Sequence, residues 1–261
     1  MIILGADLSP TSSGFTKFIL DEDMKILDIQ KLGFCAYTVP KKKEFKVPEY
    51  KDIISYEKEK YDFFNRTIMM DEYIFDFIKD VDYAILEDYA FAGNGDITEI
   101  AEFCSQVKFQ LLRQGTKIRL ISPLQVKQFA GNGKHEKPDM EDEFNKLDVQ
   151  KIDVSYLPEI PIHKRGKFVN LRDRNGISPR SDLIDSFWMC YLLYNELLVK
   201  THTIDVECLS EKYKHVLTHT TPKNKIPLIR RDFIQKKVWL KFYQYVTQQY
   251  STSSSVSKIS S

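Results

Sequence analysis

Short apolar runs that end on an acid alternate with amphipathic stretches along most of this chain. Residues 2 to 7 run apolar into Asp7, and the small-residue turn from Leu8 to Gly14 follows. That is the pattern of a buried strand delivering Asp7 at its C-terminal end. Phe15 to Leu20 and Lys25 to Phe34 read as two further strands, joined at Asp21-Glu22-Asp23 by a turn short enough for a hairpin, so an antiparallel meander is expected. Residues 38 to 58 lose periodicity, carry Lys41-Lys42-Lys43 and two prolines, and read as an exposed loop or insertion. Tyr61, Phe64, Ile68, Ile74 and Ile78 then recur near helical spacing, which predicts a helix over 59–79 with these residues facing inward.

Val81 to Glu87 is another short apolar run ending in an acid. Ile97 to Arg113 fits a helix with Ile100, Phe103, Val107 and Leu111 on one face, Lys117 to Ile121 a strand, and Leu124 to Ala130 a short helix begun by Pro123. Residues 131 to 180 are polar and loop-like except for a helical turn or two over Glu141 to Leu147. Asp182 to Val199 predicts a largely apolar helix, with Leu183, Ile184, Phe187, Tyr191 and Leu198 available for the core. The Ser-rich end, 251–261, lacks the apolar surface to order itself and is expected to be disordered.

Composition narrows the function classes. The 261 residues carry 38 Lys and Arg against 37 Asp and Glu, so a uniformly basic DNA-coating protein is excluded and any nucleic-acid site must be local. No apolar stretch reaches the roughly 20 residues of a membrane span, so no membrane helix is expected. The N-terminus has no basic leader and no cleavage-site pattern, which points to a cytosolic or nucleoplasmic protein that is not secreted. Cys35, Cys104, Cys190 and Cys208 lie far apart among apolar neighbours and read as buried reduced thiols; the five histidines are scattered and are given no metal role.

The chemistry lies in the acids. Asp7 ends the first strand, Glu87 and Asp88 end the fourth, and Asp182 and Asp185 share one face near the start of the last helix. Each alone reads as a turn former or cap; jointly, Asp7, Glu87, Asp182 and Asp185 form a cluster if the two strands are neighbours, about 5 Å apart. Crowded carboxylates repel, and hard divalent cations, Mg²⁺ or Mn²⁺, relieve that repulsion. Two such ions can activate a water and stabilise the leaving oxygen in phosphodiester hydrolysis.

ILGADLSPTSSGF (3 to 15), AILEDYAF (84 to 91), SPLQVKQFAGNGKHEKPDM (122 to 140) and SDLIDSFWMCYLL (181 to 193) resemble the four ordered motifs of the RuvC-like Holliday-junction resolvases, especially their phage and large-DNA-virus branch. The resemblance covers roughly residues 1–199. It implies an α/β, RNase H-like mixed sheet flanked by helices, in a homodimer that uses Mg²⁺, two ions per site, to nick four-way DNA junctions in recombination and repair. It also implies a place in the infected host's cytoplasm or another DNA-containing compartment. By matched positions, Asp7, Glu87, Asp182 and Asp185 would hold metal, while Lys127 and Lys137 would lie near the scissile phosphate. Lys134 lies in the same basic segment, and Gly131-Asn132-Gly133 reads as a turn for close approach to phosphate. Tyr89 and Phe91 are candidates for the aromatic wedge that the family inserts at the junction centre.

Two segments depart from a minimal resolvase. Within 141–180, the run from 164 to 180 sets Lys164, Arg165, Lys167, Arg172, Arg174 and Arg180 against Asp173 alone and could bind phosphates. Beyond the nuclease domain (1–200), a basic aromatic extension (201–250) carries seven Lys and Arg against Asp232 alone over 221–245, a local charge of +6. It suits either a DNA arm or packing of its aromatic face on the core. An actin- or sugar-kinase-like ATPase is the alternative, with DLSPTSSG as its phosphate turn, although no second Gly-rich phosphate loop follows. A catalytically inactive branched-DNA-binding protein is a third reading, which the four acids disfavour.

Overall fold

A computed structural model describes residues 1–37, 49–88, 97–157, 178–220 and 226–235. One six-stranded sheet contains β1 (Ile2–Asp7), β2 (Ser12–Leu20), β3 (Ile26–Tyr37), β4 (Ile53–Glu57), β5 (Tyr83–Glu87) and β6 (Lys117–Ile121), in the order β4-β3-β2-β1-β5-β6. β1, β2 and β3 are the expected antiparallel meander; β4 pairs with β3, β5 with β1 and β6 with β5 in parallel. The helices are α1 (Phe63–Ile78), α2 (Ile97–Gln114), α3 (Pro123–Ala130), α4 (Lys137–Lys146), α5 (Ser178–Lys200) and α6 (Glu211–Thr218). This is an α/β fold, a mixed sheet with helices on both faces.

Side chains alternate between two cores. Leu4, Ala6 and Phe15 join α1 and α2 on one face, and Ile3, Phe18 and Ile85 join α3 to α6 on the other. β1 is therefore apolar throughout, as a strand buried on both faces must be. The two-residue period also assigns the acids: Asp7 has the parity of Ile3, and Glu87 that of Ile85, so both turn toward α5.

α5 lies directly on the sheet. A Cβ at Gly5 would come within 2.2 Å of the Ser186 carbonyl oxygen, and one at Gly14 within 2.2 Å of the Asp182 carbonyl oxygen. Thr16 Oγ1 and Ser186 Oγ share a buried 2.8 Å hydrogen bond that sets the register of helix on strand. With α3, α4 and α6 covering its outer side, α5 is buried almost all round, which is why its sequence is apolar without a polar face.

The structure corrects several expectations. β4 falls inside the stretch read as a loop; it is a short edge strand with only Ile53 and Tyr56 buried, too brief to leave a periodic signal. α1 turns differently: Thr67, Met70, Ile74 and Ile78 are buried, whereas Phe64 and Ile68 are 71% and 58% exposed. The helix carries apolar residues on two adjacent faces, and both stripes share Ile74 and Ile78. α4 begins at Lys137 and α5 at Ser178, each earlier than expected. Cys208 is exposed, unlike the other three thiols. Among the described residues no helix is long and apolar enough to cross a membrane.

Residues beyond 200 reach the far edge of the sheet. Ile234 and Ile118 exchange two 2.9 Å backbone hydrogen bonds, covering part of β6, the outermost parallel strand. Arg119 on β6 binds Glu196 of α5 through Nε at 3.1 Å and through Nη2, and it donates to the carbonyls of Arg231 at 2.9 Å and Asp232 at 3.1 Å. The basic stretch from 236 onward and the Ser-rich end lie outside the described residues.

Backbone contact at Gly14 offers no side chain that could rotate away. Gly14→Ala is expected to cost about 1–3 kcal/mol of unfolding free energy by forcing α5 off β2, measurable as a fall in the urea midpoint with the slope unchanged.

Candidate active site

Strand pairing brings the first two acids together. Ala6 is in register with Leu86 in the parallel pair of β1 and β5, so Asp7 and Glu87 are adjacent at the strands' C-terminal ends. α5 supplies the other two from above, because its backbone passes over Gly14, which itself is in register with Asp7 across β1 and β2. Carboxylate oxygens of Asp7, Asp182 and Asp185 lie within 4.8 Å of one another. Glu87 is not part of that tight trio but shares a hydrogen bond with Asp7.

Asp182 is the most heavily bonded of the four. Lys137 Nζ donates to its Oδ1 at 2.8 Å and to Ser181 Oγ at 2.7 Å, Ser181 Oγ lies 3.1 Å from the same Oδ1, and Ser12 Oγ donates to Oδ2. Lys137 Nζ also lies 3.9 Å from Asp185 Oδ2. Ser12 was hidden in the sequence within a turn of small residues; only its parity with Gly14 and Thr16, once β2 is seen to start at Ser12, turns it toward α5.

The charges are far from neutralised. Desolvation, followed by the fields of Glu87, Asp182 and Asp185, holds the Asp7 carboxyl well above the usual range despite Lys137. Desolvation and then Asp185 push Glu87 up to about 7, against the hydrogen bond from Asp7 and the charges of Lys137 and Lys127. Asp185 rises to about 6, chiefly by desolvation, with Lys137 opposing and Asp182 adding. Burial works against the Lys137 ammonium, but Asp182, Asp185 and Asp7 outweigh it and hold its pKa above the ordinary value. An all-oxygen donor set with surplus negative charge, partly withdrawn from water, fits a hard divalent cation.

The other candidates fall in different places. Lys127 lies in the last turn of α3, and its charge reaches Glu87 and Asp185. Lys134 is exposed in the turn between α3 and α4. Arg180 is not on a loop: it sits in the first turn of α5, where it pairs with Glu141 of α4 and donates to the Leu157 carbonyl at 2.9 Å. Its guanidinium fastens the start of α5 to α4. The glycines of 131–133 are likewise spent on packing, since a Cβ at Gly131 would lie 2.1 Å from the His135 ring and one at Gly133 2.7 Å from Leu124. Tyr89, Phe91, Lys164, Arg165, Lys167, Arg172 and Arg174 lie outside the described residues.

The turn after β1, which a nucleotide-binding reading would use for phosphate, is bonded to itself. The Ser9 amide donates to Ser13 Oγ at 3.0 Å, the Thr11 amide to Ser9 Oγ at 3.4 Å, and Ser13 Oγ to the Ser9 carbonyl at 2.8 Å.

No family model matches the chain, and no curated protein matches it. Among solved structures it is similar to Thermus thermophilus RuvC, with a TM-score of 0.43 and 12% identity, covering 78% of this chain and 98% of that one. It is similar to T. thermophilus RuvC in complex with Holliday junction substrate, with a TM-score of 0.43 and 11% identity over 78% and 97% of the two chains. It is also similar to Fowlpox virus resolvase in complex with substrate Holliday junction DNA, with a TM-score of 0.38 and 15% identity over 76% and 99%.

The raised carboxyls have a thermodynamic consequence. The folded protein holds their protons more tightly than the unfolded chain, so metal-free stability falls as pH rises from about 4, where the unfolded acids ionise, through about 7. Asp7→Asn should therefore stabilise the metal-free protein at pH 8, on the order of 1–3 kcal/mol, and leave it nearly unchanged at pH 4. Denaturant titration at the two pH values measures the difference.

Proposed function

We propose that this protein is a metal-dependent endonuclease that cuts branched DNA, including four-way junctions, by paired phosphodiester hydrolysis. The observation that carries this reading is the convergence of Asp7, Asp182 and Asp185 within 4.8 Å, with Glu87 bonded to Asp7 beside them. The order of the four sequence motifs supports it. Asp7, Asp182, Asp185 and Glu87 are the residues to hold Mg²⁺ or Mn²⁺, two ions in all. Bound there, the metal supplies Lewis acidity that activates water against phosphorus and offsets charge on the leaving oxygen.

The chain's own groups set the stage for that chemistry. Ser12 and Ser181 orient the two oxygens of Asp182, and Lys137 supplies positive charge to it, while Glu87 shares a hydrogen bond with Asp7 on the other side of the cluster. Lys127 and Lys137 approach the acids from α3 and α4 and bring positive charge to the site. Lys134 and the basic residues 164, 165, 167, 172 and 174 would extend that role along the DNA, and Tyr89 and Phe91, two and four positions after Glu87 in the sequence, would supply the aromatic wedge. A homodimer follows from the reaction: paired nicks need two clusters, and the described residues of one protomer hold one.

Cleavage of a labelled four-way junction in Mg²⁺ is the test. Wild type should make paired symmetric nicks, and Asp7→Asn should abolish cutting while junction binding survives, because the basic surface is unchanged. Binding without cutting by wild type in either metal would sink the nuclease reading. Ser12→Ala removes only a support of Asp182 and should lower the cleavage rate about 10–100-fold, partly recovered at higher Mg²⁺.

A further inference from the structure

Lys137 stands at the first position of α4, and its backbone is tightly fixed. Pro138 occupies the first turn, Asp139 accepts a 2.8 Å hydrogen bond from the Glu136 amide, and α4 is fastened to α5 by Trp188 Nε1, which donates to the Met140 carbonyl at 3.2 Å. Phe144 and Phe187 add an edge-to-face contact at 5.0 Å. Only the four-carbon stem of the lysine is free to swing. Its ammonium lies against Ser181, Asp182 and Asp185, with about a third of the lysine side chain left exposed.

We propose that Lys137 is the resident cation of the acidic site, holding Asp182 and Asp185 together until a divalent ion takes those carboxylates and releases the ammonium. This inference rests on the metal-site reading above. Ammonium and metal need the same two acids, and two cations a few ångströms apart repel, so each weakens the binding of the other. A single positive charge among four carboxylates is also too little to neutralise them, which leaves the doubly charged competitor at an advantage. Once released, the same ammonium can reach an incoming phosphate without any movement of α4. Metal loading would then be the event that exposes a phosphate-binding cation, giving an order of assembly: metal first, DNA second.

Two measurements on the full chain without DNA test this. Calorimetric titration with Mg²⁺ or Mn²⁺ should give Lys137→Met a Kd about tenfold lower than wild type, Lys137→Arg one no lower than wild type, and Asp182→Asn no binding. In reductive methylation followed by peptide mapping, Lys137 should be protected in the metal-free protein and modified when metal is added, while exposed Lys134 reacts equally in both. If Lys137→Met binds metal no more tightly than wild type, or Lys137 stays protected in the loaded protein, the displacement is wrong although the metal site stands. If wild type and Lys137→Met both fail to bind metal, the metal-site reading falls and this inference with it.

Discussion

Backbone contact between α5 and the first two strands is the constraint on which the rest depends. A helix normally rides above a sheet on the side chains between them; here Gly5 and Gly14 remove those side chains, and the carbonyls of Ser186 and Asp182 come down onto the strands. That descent brings Asp182 and Asp185 level with Asp7, which ends the strand beneath. A helix held at ordinary height would leave its two acids too far above the strand to share a cation. The β2 face reads Ser12, Gly14, Thr16, Phe18, and each position has a matching contact on α5: Asp182, the Asp182 backbone, Ser186 and Phe187.

The site works against the stability of the fold that builds it. Three of its four carboxyls are pushed upward, first by desolvation and then by their mutual charge, so the metal-free protein at neutral pH carries a repulsion that a packed apolar cluster would avoid. The buried core under α5 offsets it, with Leu183, Phe187 and Trp188 almost wholly removed from water. Local hydrogen bonds soften it further, through Ser12, Ser181 and Lys137 on Asp182. Strain of this kind persists where surrounding structure over-determines the geometry, and here the glycine contacts do so.

How much could be read from the sequence depended on whether a signal was local. β1 and β5 were legible as short apolar runs ending on an acid, and β6, α2 and α3 through their pattern and clear boundaries, such as Ser122 capping α3 ahead of Pro123. The four acids were legible as a set because each ends or opens such an element. α1 was misread because Phe64 and Ile68 make a second apolar stripe beside the buried one, and periodicity cannot choose between two stripes that share Ile74 and Ile78. Ser12 and Arg180 were misread for a different reason. A serine in a small-residue turn and an arginine in a basic loop acquire their roles only through partners 170 and 39 positions away, Asp182 and Glu141.

The opposite end of α5 is held by charge, where the site end is held by backbone contact. Arg119 and Glu196 are almost fully buried, 3% and 0% exposed, and the pair is completed by Lys200, 3.2 Å from Glu196. Unlike a surface ion pair, such a pair costs heavily when one partner is lost, because the other remains charged in the interior. The Arg119 guanidinium also gathers the carbonyls of Arg231 and Asp232, with Phe233 packed 4.3 Å from it, so the chain beyond residue 200 supplies acceptors that this arginine needs. α5 is thus pinned at both ends to different strands: to β1 and β2 by Gly5 and Gly14, and to β6 by Arg119. Sliding or tilting would break a backbone contact at one end or a buried charge pair at the other. The acids near its start are positioned by both.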